Sequence, residues 1–184
     1  MKIAITGGTA GIGQSLAKVY ESQGHEVMPL SRRNGYNIRS TPKVADAVEP
    51  CDMFVNNAQA GYAQTELLFE MARRWQGTGK TIINISTAMT QNPVSIFDGL
   101  EMLQYRLQKV ALEEAVRQIR NRRLGVKITI VRPGNIATSP DKTIPPAVDV
   151  NVWAKTLLAL FNTAKRSEEH TSELQSLRHL VCRL

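Results

Sequence analysis

The sequence predicts an α/β domain built on a doubly wound parallel sheet, and three observations carry that expectation. Short Ile- and Val-rich runs alternate with helical patterns along the chain. Most of the runs are continuously apolar rather than alternating, as strands covered on both faces should be. A glycine-rich turn stands between the first run and the first helical pattern. Strand and helix in strict alternation imply right-handed crossovers feeding one parallel sheet.

Taken in order, KIAIT (2–6) is the first strand, TGGTAGIG (6–13) the turn, and 12–23 the first helix. HEVMPL (25–30) follows as a strand, running into Ser31-Arg32-Arg33 and a helix at 41–48. CDMFVN (51–56) leads into a helix at 64–75, and KTIINIS (80–86) into a long one at 99–122. VKITIV (126–131) is the last strand, and the spacing predicts a final helix over 150–163. There is no internal repeat, and only the Pro-rich stretch 140–146 reads as a linker.

A chain of 184 residues with 42% hydrophobic and 21% charged positions suits one well-buried domain. No stretch approaches the roughly 20 apolar residues that span a bilayer, so no membrane partner is expected. Met1-Lys2 runs directly into a strand, so no signal peptide is expected. Cys51 and Cys182 cannot form a disulfide framework, which points to a reducing, cytoplasmic setting. The net charge of +7 raises the question of a polyanionic partner. However, Arg117, Arg120, Arg122 and Arg123 cluster at the end of the long helix, where cations complement its dipole. They read as a solvated surface rather than a nucleic-acid site.

The last nineteen residues, RSEEHTSELQSLRHLVCRL (166–184), resemble a sequencing-adapter sequence read through in frame. The competing reading is an amphipathic C-terminal helix, because Leu174, Leu177, Val181 and Leu184 recur at helical spacing. We therefore expect residues 1–165 to be the domain and 166–184 a non-native tail in place of the native C-terminus. Without His170 and His179, His25 is the only histidine. Histidine catalysis and multi-His metal sites then lack material, and no metal is expected.

The turn Gly7, Thr9, Ala10, Gly11, Ile12, Gly13 lies between strand and helix, the context a dinucleotide fingerprint requires. Gly7 can turn the chain tightly, Gly11 lets the backbone approach a pyrophosphate, and Gly13 lets helix and strand pack closely. Free N–H groups at the helix start would face the anion; this is the Rossmann-type arrangement. An NAD site places Asp or Glu at the end of the second strand to bond the ribose 2′-hydroxyl. Here Ser31, Arg32 and Arg33 stand there instead, and guanidinium matches phosphate bidentately. NADP(H) is expected ahead of NAD(H).

Tyr105 and Lys109 stand four apart in LQYRLQKVALEEAV, on one helical face. A phenol of pKa ~10 is a poor acid–base group at neutral pH. A neighbouring ammonium favours the phenolate and is expected to lower that pKa.

With these residues in view, the sequence resembles the short-chain dehydrogenase/reductase family. The likeness rests on TGxxxGIG at Thr6–Gly13, the NNAG-like NNAQAG at Asn56–Gly61 and NIST at Asn84–Thr87. It is completed by YxxxK at Tyr105–Lys109 and PGxxxT at Pro133–Thr138, all in the family's order. The resemblance implies that Tyr105 protonates a carbonyl oxygen as hydride arrives from the nicotinamide. Lys109 would hold the ribose hydroxyls, and Thr87 or its neighbour Ser86 would orient the carbonyl. It also implies that Asn56, Asn57 and Ala58 line the adenosine side, with Asn37 and Ile38 near adenine. Pro133, Gly134, Ile136 and Thr138 would border the nicotinamide and pyrophosphate. A small carbonyl or alcohol substrate is implied, and pairing into homo-oligomers as relatives do.

The departures bear on the chemistry. The segment from Asn56 to Thr87 is shorter than in the family, and its usual catalytic-site asparagine has no clear counterpart beyond Gln64. Thr87 and Tyr105 are eighteen positions apart, more than usual. The segment after Pro133-Gly134 is short, and the last strand of the family's sheet is missing. Two other readings therefore stand beside a reductase. One is a catalytically weak or inactive NADP-binding module; the other is nucleotide-sugar epimerase-like activity, for which the chain is short.

Overall fold

The computed structural model describes residues 1–91, 99–138 and 146–170, with side chains described as far as residue 163. Most of the linker-like stretch 140–146 and residues 171–184 of the suspected tail lie outside the described residues. Five strands form one parallel sheet: β1 (Lys2–Thr6), β2 (Glu26–Leu30), β3 (Met53–Asn56), β4 (Thr81–Ile85) and β5 (Lys127–Val131). Their order is β2-β1-β3-β4-β5. Helices α1 (Gly11–Ser22), α2 (Thr41–Val48), α3 (Ala63–Arg74), α4 (Leu100–Asn121) and α5 (Val150–His170) complete the frame. The α/β doubly wound reading therefore holds, with each predicted element in place.

The continuous apolar runs are explained by cover on both faces. Ala4, Phe54 and Ile82 point into a core with α2, α3 and α4, among Leu67, Met71, Trp75, Leu112 and Val116. Ile3, Ile5, Val55, Ile83 and Ile85 point the other way, against Leu16 and Tyr20 of α1 and Trp153, Leu157 and Leu158 of α5. β2 is an edge strand, which is why it tolerates Pro29. At the opposite edge, no strand pairs beyond β5 among the described residues.

Because β1 neighbours both β2 and β3, the chain leaves β1 in opposite directions on its two sides. A crevice opens at the carboxyl ends of the strands at such a switch point. One small element has no counterpart in the sequence reading. β6 (Ile136–Ala137) pairs in parallel with β7 (Val148–Asp149), a ladder of two residues per strand. So short a pairing leaves no periodic trace in sequence.

The glycine turn is built on steric need. Gly7 and Gly11 adopt φ of +69° and +51°, where a side chain would be strained. A Cβ on Gly13 would stand 2.4 Å from the Gly7 carbonyl oxygen and 2.8 Å from Asn57 Nδ2. Gly13→Ala is therefore expected to destabilise the protein by about 1–3 kcal/mol through overpacking. Thermal unfolding checks this, at about 2–4 °C per kcal/mol for a domain of this size. An unchanged melting temperature would show that the turn yields without cost.

Candidate active site

At the switch point, Thr6 ends β1 and pins β3 beside it. Its hydroxyl oxygen accepts from the N–H groups of Asn57 (3.0 Å) and Ala58 (3.1 Å). Asn57 Nδ2 donates back to the Thr6 carbonyl at 2.9 Å. Gly7 N–H donates to the Leu30 carbonyl at 2.7 Å, so the turn is also tied to the end of β2. No side chain caps the N-terminus of α1, which leaves the first-turn amides without a side-chain acceptor.

Over this corner lies a cavity of about 670 Å³. It brings together nine residues singled out from sequence: Gly7, Thr9, Ala10, Ser31, Arg32, Arg33, Asn37, Ile38 and Ala58. Gln59, Ala60 and Gly61 of the NNAQAG motif also line it, as do Tyr36, Arg39, Gln104 and Gln108, which carry no signal in the sequence reading. The Arg32-Arg33 corner is shaped by Asn34. Its Oδ1 accepts from Ser31 N–H (2.7 Å), and its Nδ2 donates to the Pro29 carbonyl (2.6 Å). Both arginines remain exposed. On the far wall, Gln59 Nε2 donates to Gln108 Oε1, bridging the strand-end loop and α4.

Several expected cofactor contacts lie outside this cavity lining. Asn56 is fully buried rather than lining the adenosine side. Its Nδ2 donates to the Gln64 carbonyl (2.9 Å) and to Asn84 Oδ1 (3.0 Å), because a side chain pointing inward from β3 must find partners there. Asn57 serves as the pin described above. Pro133 is buried, and its carbonyl accepts from Ala88 N–H at 2.8 Å. Gly134 is exposed beside it, and Ile136 packs into the core against α1 and α5. Thr138 does reach the glycine turn: a Cβ on Gly11 would stand 3.4 Å from Thr138 Cβ. Ile12 packs on the same core as Ile136, and Gly13 is buried.

Tyr105, Lys109 and Thr87 lie outside the cavity lining but on the same end of the sheet. Gln104 and Gln108, one position before Tyr105 and Lys109, face the cavity. The Thr87 hydroxyl lies near enough to the Tyr105 phenol to favour its ionised form, so the stretched spacing does not separate the pair. Ser86 differs: it is 3% exposed and donates to Glu113 Oε1 at 2.5 Å. That contact commits the hydroxyl of Ser86 to a carboxylate and leaves Thr87 facing the phenol.

Lys109 is also buried, at 3% exposure. Its ammonium donates to Gln64 Oε1 and to the Ile85 carbonyl, each at 2.8 Å. Gln64 is itself held by donating Nε2 to the Asn56 (2.6 Å) and Ile85 (3.0 Å) carbonyls. Burial lowers the Lys109 pKa to about 8, with the nearby Glu113 charge opposing the shift. The ammonium lies 5.7 Å from the centre of the Tyr105 ring. The phenol does not follow the expectation of a depressed pKa. Burial pushes it above its ordinary value, and the neighbouring Thr87 hydroxyl only partly offsets this. The reason is geometric: the ammonium's hydrogen bonds go to Gln64 and Ile85, not to the phenol.

The remaining polar features are structural. His25 stacks at a tilt against Tyr20, with ring centres 5.9 Å apart. Arg117 pairs with Glu114 at 2.5 Å, and Arg120 donates to the Ile128 carbonyl at 2.7 Å. No helix among the described residues is long and apolar enough to cross a membrane.

No family model and no curated protein sequence matches the chain. Solved structures do. A short-chain dehydrogenase from Burkholderia cenocepacia, in complex with NADP, superimposes with a TM-score of 0.70 at 19% identity, over 88% of this chain and 84% of that one. The bulky-bulky ketone specific alcohol dehydrogenase of Comamonas testosteroni gives 0.69 at 19% identity, covering 91% and 89%. A 3-ketoacyl-(acyl-carrier-protein) reductase from Brucella melitensis, complexed with NADH, gives 0.69 at 16%, covering 86% and 89%. In strand order, in the glycine turn and in the run of its motifs, the chain resembles the short-chain dehydrogenases/reductases, and it carries their fold.

Proposed function

We propose that this protein is an NADP(H)-dependent oxidoreductase acting on a carbonyl/alcohol pair, with Tyr105 as the proton donor in reduction. The observation that carries the reading is the buried Lys109 ammonium 5.7 Å from the centre of the Tyr105 ring at the sheet's carboxyl end, with the Thr87 hydroxyl neighbouring the phenol. The cavity next to it fits a dinucleotide in chemistry. An uncapped helix N-terminus suits the pyrophosphate, and exposed Arg32 and Arg33 suit a 2′-phosphate.

When bound, the nicotinamide supplies or accepts the hydride. The chain does the rest. Thr87 and Tyr105 offer neighbouring hydroxyls, from which one carbonyl oxygen could accept. The phenol carries its proton at neutral pH, the state a donor needs, and burial makes it hold that proton more tightly than in water. Among the described residues, the Lys109 ammonium donates hydrogen bonds to Gln64 and Ile85, which leaves a third proton for a ribose hydroxyl. A carbonyl substrate class is supported by two of the similar solved proteins, a bulky-ketone alcohol dehydrogenase and a 3-ketoacyl reductase.

The test is loss of nicotinamide absorbance when NADPH is offered with a panel of aldehydes and ketones. Turnover supports the reading. Tight NADPH binding without turnover of any of them would replace it with that of a cofactor-binding module. Discrimination is checked separately. NADPH should raise the melting temperature more than NADH, and the Arg32→Ala/Arg33→Ala double variant should abolish the difference. Hydrogen bonds to charged groups contribute about 1.5–3 kcal/mol, so the affinity ratio should be roughly tenfold or more. Equal shifts in the wild-type chain would remove the 2′-phosphate assignment.

A further inference from the structure

We propose that Glu113 is a positioning residue that holds Thr87 against Tyr105 by anchoring the chain on both sides of Thr87. Glu113 stands one helical turn beyond Lys109 and two beyond Tyr105, on the same stripe of α4. Its carboxylate accepts from Ser86 Oγ at 2.5 Å and from Thr90 Oγ1 at 2.8 Å. Ser86 immediately precedes Thr87, and Thr90 lies in the single 3-10 turn that follows it. The same carboxylate takes Arg132, with Nε 3.0 Å from each oxygen and Nη2 2.6 Å from Oε2. Arg132 is the first residue past β5.

One side chain thus gathers the ends of β4 and β5 and the turn between Thr87 and Gln91. Backbone contacts run alongside: Ser86 N–H to the Val131 carbonyl (2.7 Å) and Ala88 N–H to that of Pro133 (2.8 Å). Arg106, next to Tyr105, donates Nε to the Met89 carbonyl at 3.0 Å and so clasps the turn from the helix side. The Glu113 and Arg132 side chains are only 14% and 24% exposed, so solvent screens the arrangement weakly. An ion pair that served the fold alone would not require both hydroxyls flanking Thr87. Here the carboxylate takes both, and the hydroxyl left to meet the phenol is that of Thr87.

This inference rests on the reductase reading above, and the experiment separates the two. Turnover and NADPH affinity are measured for the wild type, Glu113→Gln, Thr87→Ala and the double variant, with amide hydrogen exchange at Ala88 and Thr90 followed alongside. In Glu113→Gln, kcat should fall about tenfold to a hundredfold, the scale of small misplacements of reacting groups. NADPH affinity should hold, and exchange at both amides should quicken. On the Thr87→Ala background the same substitution should change kcat less than about twofold, because residues acting as one unit are not additive. Thr90→Val, which keeps the ion pair, should reproduce part of the kcat loss and serves if Glu113→Gln does not fold. Equal losses of kcat in both backgrounds, or unchanged exchange in folded Glu113→Gln and Thr90→Val chains, would overturn the proposal. A wild-type chain without turnover would overturn the reductase reading instead, and the exchange arm would still decide the anchoring.

Discussion

Tyr105→Phe is expected to lower kcat for carbonyl reduction by about 10²–10⁴-fold, the usual contribution of a positioned general acid, while NADPH binds as before. Only the phenol oxygen is lost. The ring stays at its place on α4, beside the Lys109 ammonium at 5.7 Å from its centre. The cavity lining excludes Tyr105, so the contacts proposed for the cofactor's adenosine and pyrophosphate should be untouched. Thr87 then offers the carbonyl a hydroxyl without a matching proton donor. Steady-state turnover with NADPH fluorescence titration separates the two effects. Retained turnover would mean that the proton comes from another group.

Lys109→Met should have the next largest effect, with kcat/KM down by roughly 10²–10³-fold, as when one preorganised donor is removed from an active site. The fold should survive, since Met occupies a similar volume and a buried charge with its desolvation cost disappears. The pH dependence gives this prediction a sign. The folded-state pKa of Lys109 is lowered to about 8 from 10.5 by burial. Between those values the unfolded chain binds the proton and the folded chain does not. Stability therefore rises as pH climbs from about 8 toward 10.5, a contribution absent below 8 and missing from Lys109→Met. Reduction goes the other way, falling as pH passes about 8 and the ammonium is lost. Denaturant melts of both proteins across that pH range, with a pH–rate profile, check both signs. A wild-type rate that climbs through pH 8 would contradict the role given to the ammonium.

The framework was legible because its signals are local and repeated. Ile-rich runs such as KTIINIS must be sheet interior, and amphipathic stretches such as ALEEAVRQI must cover it. The glycine turn was legible for a steric reason: at Gly13 a single Cβ would collide with the Gly7 carbonyl. What stayed hidden depends on contacts between distant segments. Asn56 and Gln64 share a buried network with Lys109, yet nothing in NNAQAG shows which amide turns inward. Ser86 and Thr87 are chemically alike as neighbours, and only Glu113 across the fold tells them apart. Glu113 carried one faint signal, its position four residues past Lys109 on the same helical stripe. The phenol's pKa departs from expectation because spacing reports that Lys109 is near but not where its hydrogen bonds go.

The most direct test of the central claim is a crystal structure of the protein with NADP⁺ bound. The account predicts the 2′-phosphate on the guanidinium groups of Arg32 and Arg33 and the pyrophosphate on the first-turn amides of α1. It also predicts the nicotinamide ring beside the Tyr105 hydroxyl, with the Thr87 hydroxyl next to it. A nicotinamide ring held away from Tyr105, or a 2′-phosphate that touches neither arginine, would contradict it.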